Sequence, residues 1–255
     1  MTFRFGWFST GRDEAARQLM QVIWDKIDEG FIPGEISFVF CNRERGEGKQ
    51  SDLLLDLVDE LGLKVVTFSS KFFRPDLAER NLERWRSEYH HEVMERITPY
   101  PHDIIVLAGY MLIVSPQMCR LHMMINLHPA LPNGPTGAWE EVIEELIRQK
   151  AEATGVMIHL VTENLDRGPV IAYCSFSLQE EDFVPLWRGR LSERGPLFRR
   201  IRNEGVRREI PLLVLTMKKL AEGELKIKDG RVMDSRGKER GALALTQEVE
   251  EYIRT

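Results

Sequence analysis

Along the first half of the chain, short blocks of apolar residues alternate with longer stretches in which apolar positions recur every three or four residues. Phe3 to Phe8, Ile36 to Cys41, Lys64 to Phe68 and Asp103 to Ala108 are the short blocks, with the length and composition of buried strands. Between them, Ala16, Leu19, Met20, Ile23 and Ile27 mark one helix face, beginning near Asp13 and stopped by Gly30. A second helix, capped by Ser51 and ended by Gly62, carries Leu54, Leu57, Val58 and Leu61. A third runs from about Leu77 to Ile97, with Leu82, Trp85, Tyr89, Val93 and Ile97 as its buried stripe. Strands that alternate with helices predict βαβ units in a doubly wound, mostly parallel sheet with helices on both faces.

The second half continues with a strand ending at His128, a helix over roughly 138–150, and strands at 155–161 and 170–176. From 179 to 200 the pattern weakens into charged, Pro- and Gly-containing text, read as a long loop. A helix over roughly 206–221 follows, with Pro211 in its first turn or kinking it. Lys226 to Val232 then folds as a hairpin about Asp229-Gly230. The expected organisation is an α/β body over 1–178 with a C-terminal extension, 179–255, packed on the same domain.

Composition narrows the class. An apolar fraction of 43% and a charged fraction of 29% suit a globular chain with a full core. Net charge is -5 with the 35 Lys and Arg scattered, which argues against a nucleic-acid partner. Cys41, Cys119 and Cys174 show neither CxxC spacing nor an even count, so no disulfide framework or metal site is indicated. No apolar run reaches the roughly 20 residues that span a bilayer, and there is no secretion signal, so no membrane association and a cytoplasmic location are expected.

The chemistry concentrates at Asn126-Leu127-His128-Pro129. In an extended strand Asn126 and His128 project to the same side, and Pro129 ends the strand, leaving both at its carboxyl end, where open α/β sheets bind ligands. A second strand breaks into a polar turn that carries Asp166. The nucleotide fingerprints GxGxxG and GxxxxGK[ST] are missing after the first strand, where Ser9-Thr10-Gly11-Arg12-Asp13-Glu14 stands instead. An anion on that helix amino terminus would be opposed by Asp13 and Glu14 and favoured by Arg12.

Three segments together resemble the folate-dependent formyltransferases, and among them those that formylate glycinamide ribonucleotide. They are Asn126-Leu127-His128-Pro129, Ala108-Gly109-Tyr110-Met111-Leu112-Ile113-Val114-Ser115-Pro116, and His159 to Asp166, whose His and Asp keep the family's seven-residue separation. The resemblance covers most of residues 3–178 and implies a Rossmann-like fold. It implies 10-formyltetrahydrofolate as co-substrate, a small-molecule amine as acceptor, no metal, and leaves a homodimer open. Asn126, His128 and Asp166 would be the catalytic residues, with Asp166 raising the pKa of the His128 imidazole. Tyr110, Met111, Leu112, Ile113, Val114, Thr162, Glu163, Asn164 and Leu165 would hold the folate. Gly11, Arg12, Arg86 and Pro129 would meet the amine substrate. His159, inside a strand, reads as structural.

The acceptor is not fixed by these residues, because the loop after the first strand departs from the family pattern. Glycinamide ribonucleotide or a related phosphorylated amine is the first reading. Hydrolysis of the formyl donor is the second; enzymes of that kind carry a further module ahead of the catalytic one, which a chain starting at its first strand is expected to lack. Formylation of another amine is a third, and the C-terminal barrel and basic surface of tRNA formylation are not evident. A folate-binding regulatory homologue without activity is the alternative from outside enzymology.

Overall fold

The computed structural model describes residues 2–180, 182–188 and 195–254. The chain divides into two compact units, Met1–Asn126 with Val161–Glu163, and Leu127–Leu160 with Asn164–Thr255.

In the first unit β1 (Phe3–Ser9), β2 (Gly34–Cys41), β3 (Val65–Thr67), β4 (Ile104–Leu107) and β5 (Met124–His128, whose last two residues belong to the second unit) lie in the order β3-β2-β1-β4-β5. All of these pairings are parallel. β4 is buried along its whole length, as its unbroken apolar text requires of a strand covered on both faces. The helices are α1 (Glu14–Asp28), α2 (Lys49–Glu60), α3 (Pro75–Arg80), α4 (Leu82–Ile97) and α5 (Pro116–Leu121). Phe8, Phe38, Phe40, Tyr89, Val93 and Leu107 belong to one apolar cluster in which α4 packs on the sheet.

The second unit holds α6 (Trp139–Arg148), β6 (Ala153–Leu160), β7 (Val170–Ser177), α7 (Val184–Arg188), α8 (Pro196–Ala221), β8 (Leu225–Lys228), β9 (Arg231–Asp234), β10 (Leu243–Ala244) and α9 (Thr246–Arg254). β6 and β7 pair antiparallel, and β10 joins the far side of β7 in parallel. The mostly parallel α/β architecture is therefore the one the alternation of patterns predicts. Asp229 and Gly230 both have positive φ, 51° and 72°, as a two-residue hairpin turn demands, and β8 pairs with β9 about them.

Four local expectations are corrected. The helix read over 77–97 is two helices, because Asn81 leaves helical geometry at φ −154° and caps α4 through the backbone N–H of Arg84. Leu82, just past that break, is 53% exposed instead of buried. Ser51 does not cap α2; Gly48 holds that position, and the Ser51 hydroxyl donates back to its carbonyl. The stretch read as a long loop over 179–200 holds α7 (Val184–Arg188) and the start of α8 at Pro196, where Leu197, Phe198 and Ile201 bury one face at helical spacing; Pro211 lies in the interior of α8. Residues 181 and 189–194 of the same stretch lie outside the described residues.

Candidate active site

β5 ends at His128 because Pro129 has no N–H to offer a neighbouring strand. The pleat carries the side chains of Asn126 and His128 to the same side. His128 is 3% exposed. Its Nε2 lies 2.9 Å from the carbonyl oxygen of Pro135, and since a carbonyl only accepts, Nε2 carries hydrogen. The other ring nitrogen, Nδ1, faces Asp166 Oδ2 at 3.6 Å.

Asp166 sits in the turn after β6 with φ 52°, a left-handed conformation that Asp tolerates better than most residues. The backbone N–H of Gly137 donates to Asp166 Oδ2 at 3.1 Å. His159 Nε2 stands 3.6 Å from the other carboxylate oxygen, Oδ1, while His159 Nδ1 donates to the Leu160 carbonyl at 2.9 Å. The spacing between His159 and Asp166 is visible in the sequence; that the strand returns His159 to the Asp166 carboxylate is not.

Burial raises the pKa of the Asp166 carboxyl, but His159 beside one oxygen, His128 beside the other and the donating Gly137 amide outweigh it and hold the group below the ordinary carboxylate range. For His128 the balance runs the other way. Burial pushes its imidazole down, against the opposing effects of the Pro135 carbonyl and Asp166, and His159 and Arg167 push in the same direction as burial. The expectation that Asp166 raises this imidazole is corrected: it does so only in part. The resting centre is an ionised carboxylate beside a neutral imidazole.

The remaining candidate residues divide by exposure. Tyr110 and Val114 are core residues, and the Tyr110 hydroxyl donates to His90 Nε2 at 3.2 Å. Leu112 is half-buried against the same core, while Met111 and Ile113 are 52% and 44% exposed. The loop they share is fixed at its start, where Thr10 N–H donates to the Gly109 carbonyl at 3.0 Å and Met111 N–H to the Thr10 hydroxyl at 2.9 Å. Thr162 is half-buried, and Glu163 is exposed and ion-paired with Arg120. Asn164 and Leu165 are exposed.

Gly11 is buried with φ 61°, and a Cβ there would meet the Ser51 backbone at 2.9 Å, so the position serves close packing of the β1 turn on α2. Arg12 is exposed, its guanidinium 3.8 Å from the Met111 sulfur. Arg86 is half-buried on α4 and accepts from His90 Nδ1 through its carbonyl. Pro129 is half-buried. Among the described residues no group of three or more His, Cys, Asp or Glu could hold a metal ion, and no helix is long and apolar enough to cross a membrane.

Residues 13–185 match the formyl transferase family. The chain belongs to that family. Two similar relatives are the phosphoribosylglycinamide formyltransferases of Dictyostelium discoideum, 31% identical over 163 residues, and of Schizosaccharomyces pombe, 31% over 162. Each alignment covers 60% of this chain and 74% of the relative. Glycinamide ribonucleotide transformylase 1 from Symbiobacterium toebii superposes with a TM-score of 0.68 at 21% identity, over 91% of this chain and 94% of that one, and so shares its fold.

The family match takes in Asn126, His128, His159 and Asp166 and the whole of the loop 110–114. Gly11 and Arg12 precede it, and the elements from α8 onward follow it.

Proposed function

We propose that this formyl transferase moves the formyl group of 10-formyltetrahydrofolate to a primary amine, with glycinamide ribonucleotide or a related phosphorylated amine as acceptor. The observation that carries the reading is the buried carboxylate of Asp166 facing His128 at the carboxyl end of β5. The relatives with that printed name and the family match support it.

The donor supplies a formyl carbon that an amine attacks, and negative charge gathers on the formyl oxygen. The Asn126 amide is one donor for that charge, and the Nε2–H of His128 becomes the second by exchanging the Pro135 carbonyl for the formyl oxygen; each well-placed donor is worth about 3 to 4 kcal/mol. Asp166, ionised, draws the proton that the amine must lose and returns it to the departing folate nitrogen, so the enzyme ends as it began. The exposed Met111 and Ile113 side chains and the loop backbone at 110–114 offer an apolar edge suited to a flat pterin. Thr162, Glu163, Asn164 and Leu165 line the donor, and Arg12, Arg86 and Pro129 meet the acceptor.

The test is formation of tetrahydrofolate from 10-formyltetrahydrofolate with and without glycinamide ribonucleotide. Turnover that depends on the acceptor supports transfer. Equal turnover without it makes the chain a hydrolase, and binding without turnover makes it a regulatory homologue.

A further inference from the structure

β1 and β4 are paired in parallel as far as Phe8 and Leu107, and their bonding continues past the ends of both strands. The Ala108 N–H donates to the Phe8 carbonyl at 2.8 Å, and the Thr10 N–H to the Gly109 carbonyl at 3.0 Å. Gly109, at φ 69°, then turns the chain. The next bond between the two segments uses a side chain in place of a backbone carbonyl: the Met111 N–H donates to Thr10 Oγ1 at 2.9 Å. Directly after Thr10, the first segment turns away at Gly11, φ 61°.

Thr10 is held from every side. It is 6% exposed, its N–H and Oγ1 are engaged as described, and its carbonyl accepts from the Cys41 thiol at 3.9 Å. Burial pushes that thiol up to about 11, so it keeps its hydrogen at neutral pH. Branching at Cβ further restricts the Thr10 side chain, and Oγ1 is thereby a fixed acceptor. On the facing loop Tyr110 is buried, with its hydroxyl on His90, while Met111 and Ile113 are 52% and 44% exposed. The loop therefore passes from core to surface at Met111, and the bond to Thr10 Oγ1 lies at that crossing.

We infer that Thr10 is a positioning residue for the formyl donor, a role that rests on the transfer reading above. Its hydroxyl oxygen holds the Met111 amide so that the apolar edge offered by Met111 and Ile113 is formed before the folate arrives. A preformed edge spares the donor the cost of ordering the loop on binding. The turn assigned to the acceptor is braced by a different group, because the Gly11 N–H donates to the Ser9 hydroxyl at 3.1 Å. Loss of the Thr10 hydroxyl thus loosens the donor loop and leaves the Gly11 bond in place. Donor and acceptor affinities should separate.

Two substitutions in the full chain test this. Thr10→Val keeps the volume and branching and replaces the oxygen by a methyl group; Thr10→Ser keeps the oxygen and drops the methyl. Tetrahydrofolate binding is measured by calorimetry, and KM is measured for 10-formyltetrahydrofolate and for glycinamide ribonucleotide. In T10V the tetrahydrofolate Kd and the donor KM should both rise by about three- to tenfold, the effect of one lost hydrogen bond, with kcat and the acceptor KM unchanged. T10S should bind as the wild type does. Hydrogen exchange of the Met111 amide should be slow in the free wild type and in T10S and roughly tenfold faster in T10V, the same lost bond seen as local opening.

Equal folate affinity in wild type and T10V overturns the inference. So does a T10S variant as weak as T10V, which would assign the effect to the methyl group, or a T10V variant in which donor and acceptor KM rise together. If T10V does not fold, the wild type decides: an unprotected Met111 amide in the free chain overturns the preformed edge. A wild type that binds no folate refutes the proposed function itself, and is told apart from failure of the Thr10 role because it is seen before any substitution is made.

Discussion

His128 Nδ1 and Asp166 Oδ2 face each other across 3.6 Å, in a setting where the two residues are 3% and 9% exposed. That separation is longer than a direct hydrogen bond, so the pair interacts chiefly through charge in a medium that screens it poorly. Replacing Asp166 by Asn keeps the shape and removes the charge. Turnover in D166N should fall by about 10² to 10⁴-fold, the usual range for loss of one acid-base group, with KM for the folate donor changed little. Acceptor-dependent tetrahydrofolate formation measures this, and a variant as fast as wild type would remove Asp166 from the mechanism.

A further buried histidine, His90, contributes to stability at acid pH. His90 Nδ1 donates to the Arg86 carbonyl and Nε2 accepts from the Tyr110 hydroxyl, so the ring is neutral in the fold; burial lowers its pKa from 6.5 to about 4. A base whose folded pKa lies below its unfolded value stabilises the fold above the unfolded pKa, and the contribution is lost as pH falls through the window from 6.5 to about 4. The loss amounts to about 3 kcal/mol over that window. Denaturant unfolding at a series of pH values should show it, and His90→Gln should flatten the slope.

Asp13 caps α1 by accepting from the Ala16 N–H at 3.1 Å, and Glu14 follows in the first turn. Both place negative charge where an acceptor phosphate would meet helix amides and the positive end of the dipole. Asp13→Asn keeps the cap and removes one charge. With a phosphorylated amine as acceptor its KM should drop by roughly two- to fivefold, the range of a single charge at a helix terminus, with kcat unchanged. An unaltered KM would show that the acceptor's anionic group sits elsewhere.

Arg208 on α8 is 7% exposed, ion-paired with Glu204 at 2.6 Å and with Glu250 of α9 at 2.6 Å, and stacked over the Phe176 ring at 4.5 Å. Truncating it strands two carboxylates and a ring face together. Arg208→Ala should cost about 3 kcal/mol in chemical denaturation. An effect within about 0.5 kcal/mol, the scale of an ordinary surface change, would mean the cluster contributes nothing to holding α8 and α9 together.

Much of this molecule is legible in the pattern alone. Strands β1, β2 and β4 and helices α1 and α2 follow from apolar blocks and helical spacing, because each buries a face against the rest of its unit. The α8 start is different: Leu197, Phe198 and Ile201 point to it, but the flanking charges mask them, and their burial depends on packing with α6 and β7 residues that the sequence does not place beside them. The two-residue strand β10 and the short helix α5 carry too few residues for any period to register.

The candidate site divides in the same way. Asn126 and His128 on one face, Pro129 ending their strand, and a turn bearing Asp166 are consequences of local chain geometry, so the sequence determined them. Which ring nitrogen meets Pro135, the depression of the His128 imidazole, and the second histidine on the far oxygen of Asp166 were decided by tertiary structure. These depend on desolvation and on distances between residues remote in the chain, and neither quantity exists until the chain has folded.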